Sequence, residues 1–244
     1  MGFHRILFRR VCKAFCFLSI LTVSCKGETS PSKNSTEITN ALITFIIPTL
    51  NRPTLERTIT SLINQNNPNW EAIVIFDGVE PIELSTDPRI RSIQIAKTGK
   101  SNHAGEVRNQ GIQQVKTEWI GFVDDDDYLS PDYVDCLDEE IKLNNNVEVV
   151  IFRMYHPIRA EVIPAPQHKN FLKCHVGISF SMKTSLFHAG AQFKPGPTED
   201  FDLLDSIRMQ GHKMVMSPYL TYWIRDVKSD QVTSLYNATR AYIN

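Results

Sequence analysis

What this sequence has little of is cysteine where a fold could use it. Of five cysteines in 244 residues, Cys12, Cys16 and Cys25 fall within the first 26 residues, and only Cys136 and Cys174 remain for a folded domain. No Cys-x-x-Cys pair occurs, so neither a disulfide scaffold nor a zinc site is indicated, and the two later cysteines are expected as free thiols. An excess of positive charge is also missing. Lys and Arg total 26 against 27 Asp and Glu, which removes the basic field that drives nucleic-acid binding, so no nucleic-acid partner is expected. The N-terminal apolar run, Ala14 to Ser24, is shorter than the roughly 20 residues of a membrane-spanning helix. It follows Arg5, Arg9, Arg10 and Lys13, and residues 1–26 read as a signal peptide or signal-anchor. The expected location is therefore a membrane or the secretory pathway (a Golgi or ER lumen in a eukaryote), with the cytosolic face of a membrane as the alternative. Sequons at Asn34 and Asn237 are compatible with a lumen.

A polar stretch, GETSPSKNSTEITN over 27–40, reads as a linker, and one domain is expected over 41–244. From Ala41 onward, strand-like and helix-like segments alternate: 41–48, a helix over 53–65, 71–78, 90–96, a helix over 104–115, and 119–124. The strands at 42–47, 72–76 and 119–123 are continuous apolar runs, as expected where helices cover both faces of a parallel sheet. On the first helix Leu55, Ile59, Leu62 and Ile63 form one stripe, expected to be core. Ser130-Pro131-Asp132 predicts a helix N-cap followed by Pro at the first helical position. Further strands are expected over 147–155, 178–183 and 214–225, with a helix over 199–211 and a Pro-rich loop from Pro157 to Pro166. The class is α/β.

In such sheets ligands bind beyond the carboxyl ends of the strands, and three of those ends are polar: Pro48 to Arg52, Asp77-Gly78, and Asp124 to Asp127. Four adjacent carboxylates repel one another and require a counter-charge. Hard oxygen ligands suit Mg²⁺ or Mn²⁺, and strand alternation is expected to place Asp124 and Asp126 on one face. The alternative is a solvated acidic turn. A calcium loop counted from Asp124 fails, because Leu129 stands where Gly is needed and Asp135 where Glu is needed. Lys97 to Ser101 lacks the spaced first Gly of a phosphate-binding loop and reads as an ordinary loop.

These residues carry a resemblance. FIIPTLNRPTLERTITSLINQ, AGEVRNQGI, WIGFVDDDDYLSP and GPTEDFDLLDSIRMQGHKM, in that order, resemble the successive motifs of glycosyltransferase family 2. The likeness extends over about residues 43–225. It implies a GT-A fold, a Rossmann-like mixed, mainly parallel central sheet with helices on both faces. The nucleotide-sugar half would occupy about 41–127 and the acceptor half about 128–225. It implies an inverting, metal-dependent transferase that moves a sugar from a nucleotide-diphosphate sugar to a glycan, lipid or protein acceptor.

By position, Asp126 matches the residue that binds Mn²⁺ or Mg²⁺, and Asp124 the one at the ribose or the metal. Asp125 is expected with Asp124 on the donor side, and the plainer alternative for Asp125 and Asp127 is support. Pro48 and Asn51 match the first donor loop, Asp77 the base-reading loop, and Arg108 an arginine that approaches the nucleotide. Asp200 matches the general base, with Glu199 beside it. His212, His175 and Trp223 are weaker counterparts of a late histidine near the metal and an aromatic near the acceptor. The family's second strand commonly ends Asp-Asp-Gly-Ser, whereas this chain has Phe76-Asp77-Gly78-Val79, so no base is assigned. A silent sugar- or nucleotide-binding protein and a nucleotidyltransferase on a similar fold are the competing readings.

Overall fold

The computed structural model describes residues 41–98 and 104–225. The N-terminal basic and apolar segment, the linker and both sequons lie outside the described residues. Among the described residues no helix is long and apolar enough to cross a membrane.

The first half alternates as its apolar runs dictate: β1 (Ile43–Thr49), α1 (Leu55–Ile63), β2 (Trp70–Asp77), β3 (Ile90–Ile95), α2 (Ala104–Ile112) and β4 (Trp119–Phe122). Then come β5 (Tyr128–Leu129), α3 (Tyr133–Leu143), β6 (Val149–His156), β7 (Glu161–Ile163), β8 (Phe180–Lys183), α4 (Thr184–His188), α5 (Glu199–Met209) and β9 (Met214–Trp223). These make one sheet in the order β3-β2-β1-β4-β8-β6-β9-β5, with β7 on the edge of β6. Strands β3, β2, β1 and β4 pair in parallel; β8 is antiparallel to both β4 and β6, and β9 is parallel to β6. Hence β1 to β4, β6 and β9 all run one way, and only β5, β7 and β8 oppose them. The sheet is mixed and mainly parallel, as expected.

Every residue of β1 is buried, which explains the absence of alternation in its sequence: both faces are covered. The core continues through Phe45, Tyr133 and Phe152, whose rings meet edge to face or tilted at centroid distances of 5.4 and 4.6 Å. Cys136 is buried, Cys174 is exposed, and neither forms a disulfide among the described residues.

Three expectations are corrected. Ile63 is 39% exposed, and Thr58 takes its place in the buried stripe with Leu55, Ile59 and Leu62. Thr58 tolerates burial because its hydroxyl donates to the Asp127 carbonyl at 2.6 Å. Ser130 does not cap α3, which begins at Tyr133. The Ser130 hydroxyl instead donates to Asp132 at 2.6 Å, its N–H bonds Thr221 of β9, and its carbonyl accepts from Gln65. Its polar groups are consumed by tertiary ties, which override a local capping signal. Finally, β4 stops at Phe122, and Asp124 to Asp127 form a turn closed by the Asp127 N–H on the Asp124 carbonyl at 3.1 Å. Turn geometry, not strand alternation, sets where these four carboxylates point.

Candidate active site

The carboxyl ends of β1, β2, β3, β4 and β9 and the N-terminal turns of α2 and α5 surround a cleft of about 400 Å³. Its wall includes Pro48, Arg52, Asp77, Lys97, Arg108, Asp124, Asp125, Asp126, Glu199, Asp200 and Arg225.

The acidic turn divides its labour. Asp125 points inward, accepting from Thr49 Oγ1 at 2.6 Å and Arg52 Nη1 at 3.0 Å; burial raises its carboxyl above the ordinary range. Asp127 is also buried. It accepts from Tyr222 Oη and from the Arg225 N–H, both at 2.9 Å. Burial first, then the Asp124 charge, push it up to about 8. Asp126 meets Arg52 at 3.2 Å and Arg225 Nε at 2.9 Å. Asp124, Asp126 and Asp127 each offer an oxygen within 4.8 Å of the others. Three hard carboxylate donors so grouped fit a divalent cation such as Mg²⁺ or Mn²⁺, and Asp127, not among the expected metal residues Asp124 and Asp126, joins the set.

Arg108 links this turn to the far wall. Its side chain is 3% exposed, not the surface residue that its helical position would also allow. One guanidinium nitrogen donates to Asp124, the other to Glu199 at 2.8 Å, and Asp200 Oδ1 stands 3.8 Å away. Burial opposes its charge, but the three carboxylates outweigh that and hold its pKa above the usual arginine range. The acids respond differently. Glu199 is raised by burial more than Arg108 lowers it. Asp200 is pushed up to about 7, by burial and by Asp124 and Glu199, against the pull of Arg108.

On the donor-loop side, Asp77 accepts from Lys97 Nζ and from the Thr98 N–H, both at 2.6 Å. Burial raises its carboxyl, but these bonds outweigh it and the net shift is downward. The neighbouring Gly78 has φ +70°, and a Cβ there would lie 2.5 Å from Lys97 Cβ. Only glycine lets the two strand ends close. Asn51 is exposed, adopts φ +63°, and donates its N–H to Thr49 Oγ1 at 2.9 Å. Its side chain is not part of the cleft wall, and its contribution is the turn that carries Arg52 back to Asp125.

His212 sits 3.1 Å from Glu148, His175 packs edge-on to His168, and Trp223 is fully buried beside Tyr128 and Tyr155. None of the three lines the cleft. Sequence reasoning passed over Lys97, Arg52 as an ion-pair partner, and Arg225. Lys97 and Arg225 follow the ends of β3 and β9, so the rule that ligands sit beyond strand ends could have found them.

A stability prediction follows. Asp127 and Asp200 have folded-state pKa values raised from 3.8 to about 8 and about 7, so the folded metal-free protein holds protons that the unfolded chain releases. Their contribution to stability is full below about pH 4 and is lost as pH rises through about 7 to 8. Metal-free protein should therefore melt at a lower temperature at pH 8 than at pH 5. Added Mn²⁺, which competes with those protons, should recover more at pH 8. Scanning calorimetry at the two pH values, with and without the ion, checks both.

The glycosyl transferase family 2 model matches residues 44–201. The chain is 35% identical over 111 residues to the uncharacterized glycosyltransferase EpsJ of Bacillus subtilis, covering 42% of this chain and 31% of that one. It is 35% identical over 100 residues to the putative colanic acid biosynthesis glycosyl transferase WcaA of Escherichia coli, covering 38% and 35%. Among solved structures it resembles S. aureus TarS in complex with UDP-GlcNAc, with TM-score 0.57, 16% identity, and 79% and 60% of the two chains covered. It also resembles the mannosyltransferase PcManGT of Pyrobaculum calidifontis in complex with GDP-Man and Mn²⁺, with TM-score 0.57, 15% identity, and 82% and 61% covered. At these identities the structural likeness speaks for the fold. The family match covers more than half of the chain and contains the acidic turn, Arg108 and the Glu199-Asp200 pair, and on that match the chain belongs to glycosyl transferase family 2.

Proposed function

We propose that this chain transfers a sugar from a nucleotide-diphosphate sugar to an acceptor hydroxyl, with inversion at the anomeric carbon and with Mn²⁺ or Mg²⁺ bound. The observation that carries the reading is the group of Asp124, Asp126 and Asp127 on one wall of the cleft with Asp200 across it, joined through Arg108. The complexes of TarS with UDP-GlcNAc and PcManGT with GDP-Man and Mn²⁺ support it. Asp126 and Asp124, with Asp127, would hold the cation. When bound, the ion supplies Lewis-acid stabilisation of the leaving diphosphate.

The remaining roles fall to the chain's own groups. Pro48 and Asp77 border the donor's nucleotide end, with Lys97 fixing the Asp77 carboxylate. Arg108 keeps Asp124 and Glu199 in place. Asp200 takes the acceptor proton as the acceptor oxygen bonds to the anomeric carbon and the bond to the diphosphate oxygen breaks, so the electron pair leaves with the nucleotide. Residues 41–127 would serve the donor and 128–225 the acceptor, a glycan, lipid or protein. The basic and apolar N-terminal residues support attachment to, or passage through, a membrane. Reporter fusions to the first 40 residues test that, and an uncleaved cytosolic product would refute a lumenal placement.

Release of nucleoside diphosphate from UDP-, GDP- and dTDP-sugars tests the reaction. Slow release from one donor, lost on chelation and restored by Mn²⁺ or Mg²⁺, is expected. Nucleotide binding without consumption of any donor would instead favour a silent binding protein. Absence of both release and binding would overturn the reading.

A further inference from the structure

Among the described residues, four cationic side chains border the cleft: Arg52, Lys97, Arg108 and Arg225. Two of them are committed. Lys97 is bound to Asp77, and the buried Arg108 bridges Asp124 and Glu199. Arg52 and Arg225 are placed differently: their side chains are 48% and 63% exposed, and both reach the same atom, Asp126 Oδ2, at 3.2 and 2.9 Å.

Asp126 is also one of the three carboxylates grouped closely enough for a divalent cation. Two guanidinium groups and a divalent cation repel one another when crowded onto a single carboxylate, so the arginines compete with the cation for Asp126. Leaving it costs them little, because ion pairs this exposed contribute little. Each also has a second tie that keeps it at the cleft. Arg52 Nη1 bonds the buried Asp125 at 3.0 Å. The Arg225 N–H bonds Asp127 Oδ1 at 2.9 Å, and the residue is held at φ +46°, a left-handed backbone that is unfavourable for arginine and fixes where its side chain starts. A guanidinium displaced from Asp126 therefore stays beside the cleft, and its planar fork matches phosphate oxygens.

We propose that Arg52 and Arg225 are exchangeable counter-ions, which neutralise Asp126 in the empty site and move onto the donor's diphosphate when the acids take their cation. This rests on the transferase reading above and adds a coupling to it. The cation alone meets two competing arginines, whereas a diphosphate arriving with it gives those arginines a new partner. Each ligand should then tighten the binding of the other, by a route that runs through the protein's own side chains.

The test uses the full chain and reads binding rather than turnover. Mn²⁺ is followed by the paramagnetic resonance of the free ion, and UDP, GDP and dTDP by calorimetry. Arg225→Gln removes one competing charge, so Mn²⁺ alone should bind it about three- to tenfold more tightly than the parent. At saturating Mn²⁺, the nucleoside diphosphate that the parent binds should bind Arg225→Gln about tenfold more weakly, the scale of one charge-assisted hydrogen bond. These opposite signs are the signature, because an arginine that never left Asp126 would weaken Mn²⁺ binding without helping the nucleotide. Arg52→Gln should move both affinities in the same two directions, and it is read by the same criteria if Arg225→Gln does not fold. Arg225→Lys keeps the charge but not the fork, so Mn²⁺ affinity should stay within about twofold while part of the nucleotide affinity is lost. Lys142→Gln, on α3 and outside the cleft wall, should change neither. Mn²⁺ affinity within about twofold of the parent in Arg225→Gln, or nucleotide affinity unchanged or improved, would overturn the exchange. Failure of the transferase reading itself looks different: the parent then binds no nucleoside diphosphate in the presence of Mn²⁺.

Discussion

Replacing Asp200 by Asn should lower the rate of sugar transfer by roughly 10²- to 10⁴-fold, the worth of a positioned proton acceptor. The substitution is nearly isosteric and removes a charge from a site where burial pushes the carboxyl up to about 7. The folded protein should therefore lose no stability, and its melting temperature should hold or rise. Asp200 suits the role for two reasons visible in its surroundings. Its Oδ1 is buried without a hydrogen-bond partner among the described residues and stands 3.8 Å from Arg108 Nη1, beyond bonding distance. A carboxylate with unspent acceptor capacity, and with a pKa close to the working pH, is well matched to taking a proton.

Glu199 next to it is differently placed, because its Oε1 already accepts from Arg108 at 2.8 Å. Glu199→Gln should therefore cost less turnover than Asp200→Asn. The rate of the unmodified protein should rise with pH as Asp200 ionises, and that limb should disappear in Asp200→Asn. Single-turnover rates at saturating donor across pH 5 to 9 measure both effects. A transfer rate within about tenfold of the parent would remove Asp200 from the proton-transfer step.

The sequence made β1, β2 and β4 legible because burial on both faces writes a continuous apolar run, which a local window can read. It left β5 and β7 unread. The first has two residues and the second three, too short for any period, and each exists only because a longer strand, β9 or β6, supplies its partner. The same distinction runs through the site. Asp124 to Asp127, Glu199 and Asp200 stood out as dense local patterns of one residue type. Of the cations that organise them, Arg108 came only with the family likeness and Arg225 not at all, because Arg225 reaches Asp126, and Arg108 reaches Glu199, only through the tertiary fold. Asp127 shows the limit from the other side. Its identity was plain, but whether it points to support or to ligand depends on a turn that strand periodicity misdescribed.

Arg108→Met should destabilise the protein by about 3–5 kcal/mol, the cost of stripping one partner from a buried ionic network. Methionine fits the volume and can still lie against Phe193, over whose ring the guanidinium sits at 5.4 Å, so lost packing is a minor part of the change. What is lost is the one cation shared by Asp124, Glu199 and Asp200. Those three acids would be left facing one another without their shared counter-charge. Lysine is no substitute: its single ammonium cannot use two forked nitrogens to bridge Asp124 on one wall and Glu199 on the other, so Arg108→Lys should lose part of the stability and much of the alignment.

Denaturant unfolding of Arg108→Met, Glu199→Gln and the double variant separates charge from packing. If uncompensated charge dominates, Glu199→Gln is clearly more stabilising on the Arg108→Met background than alone, a coupling that independent sites do not show. Mn²⁺ should also stabilise Arg108→Met more than the parent, because Asp124 no longer has an internal counter-charge to share. A loss below about 1 kcal/mol with no coupling would mean that water, not Arg108, balances these acids. The link between the acidic turn and the Glu199-Asp200 turn would then have to be sought in the backbone.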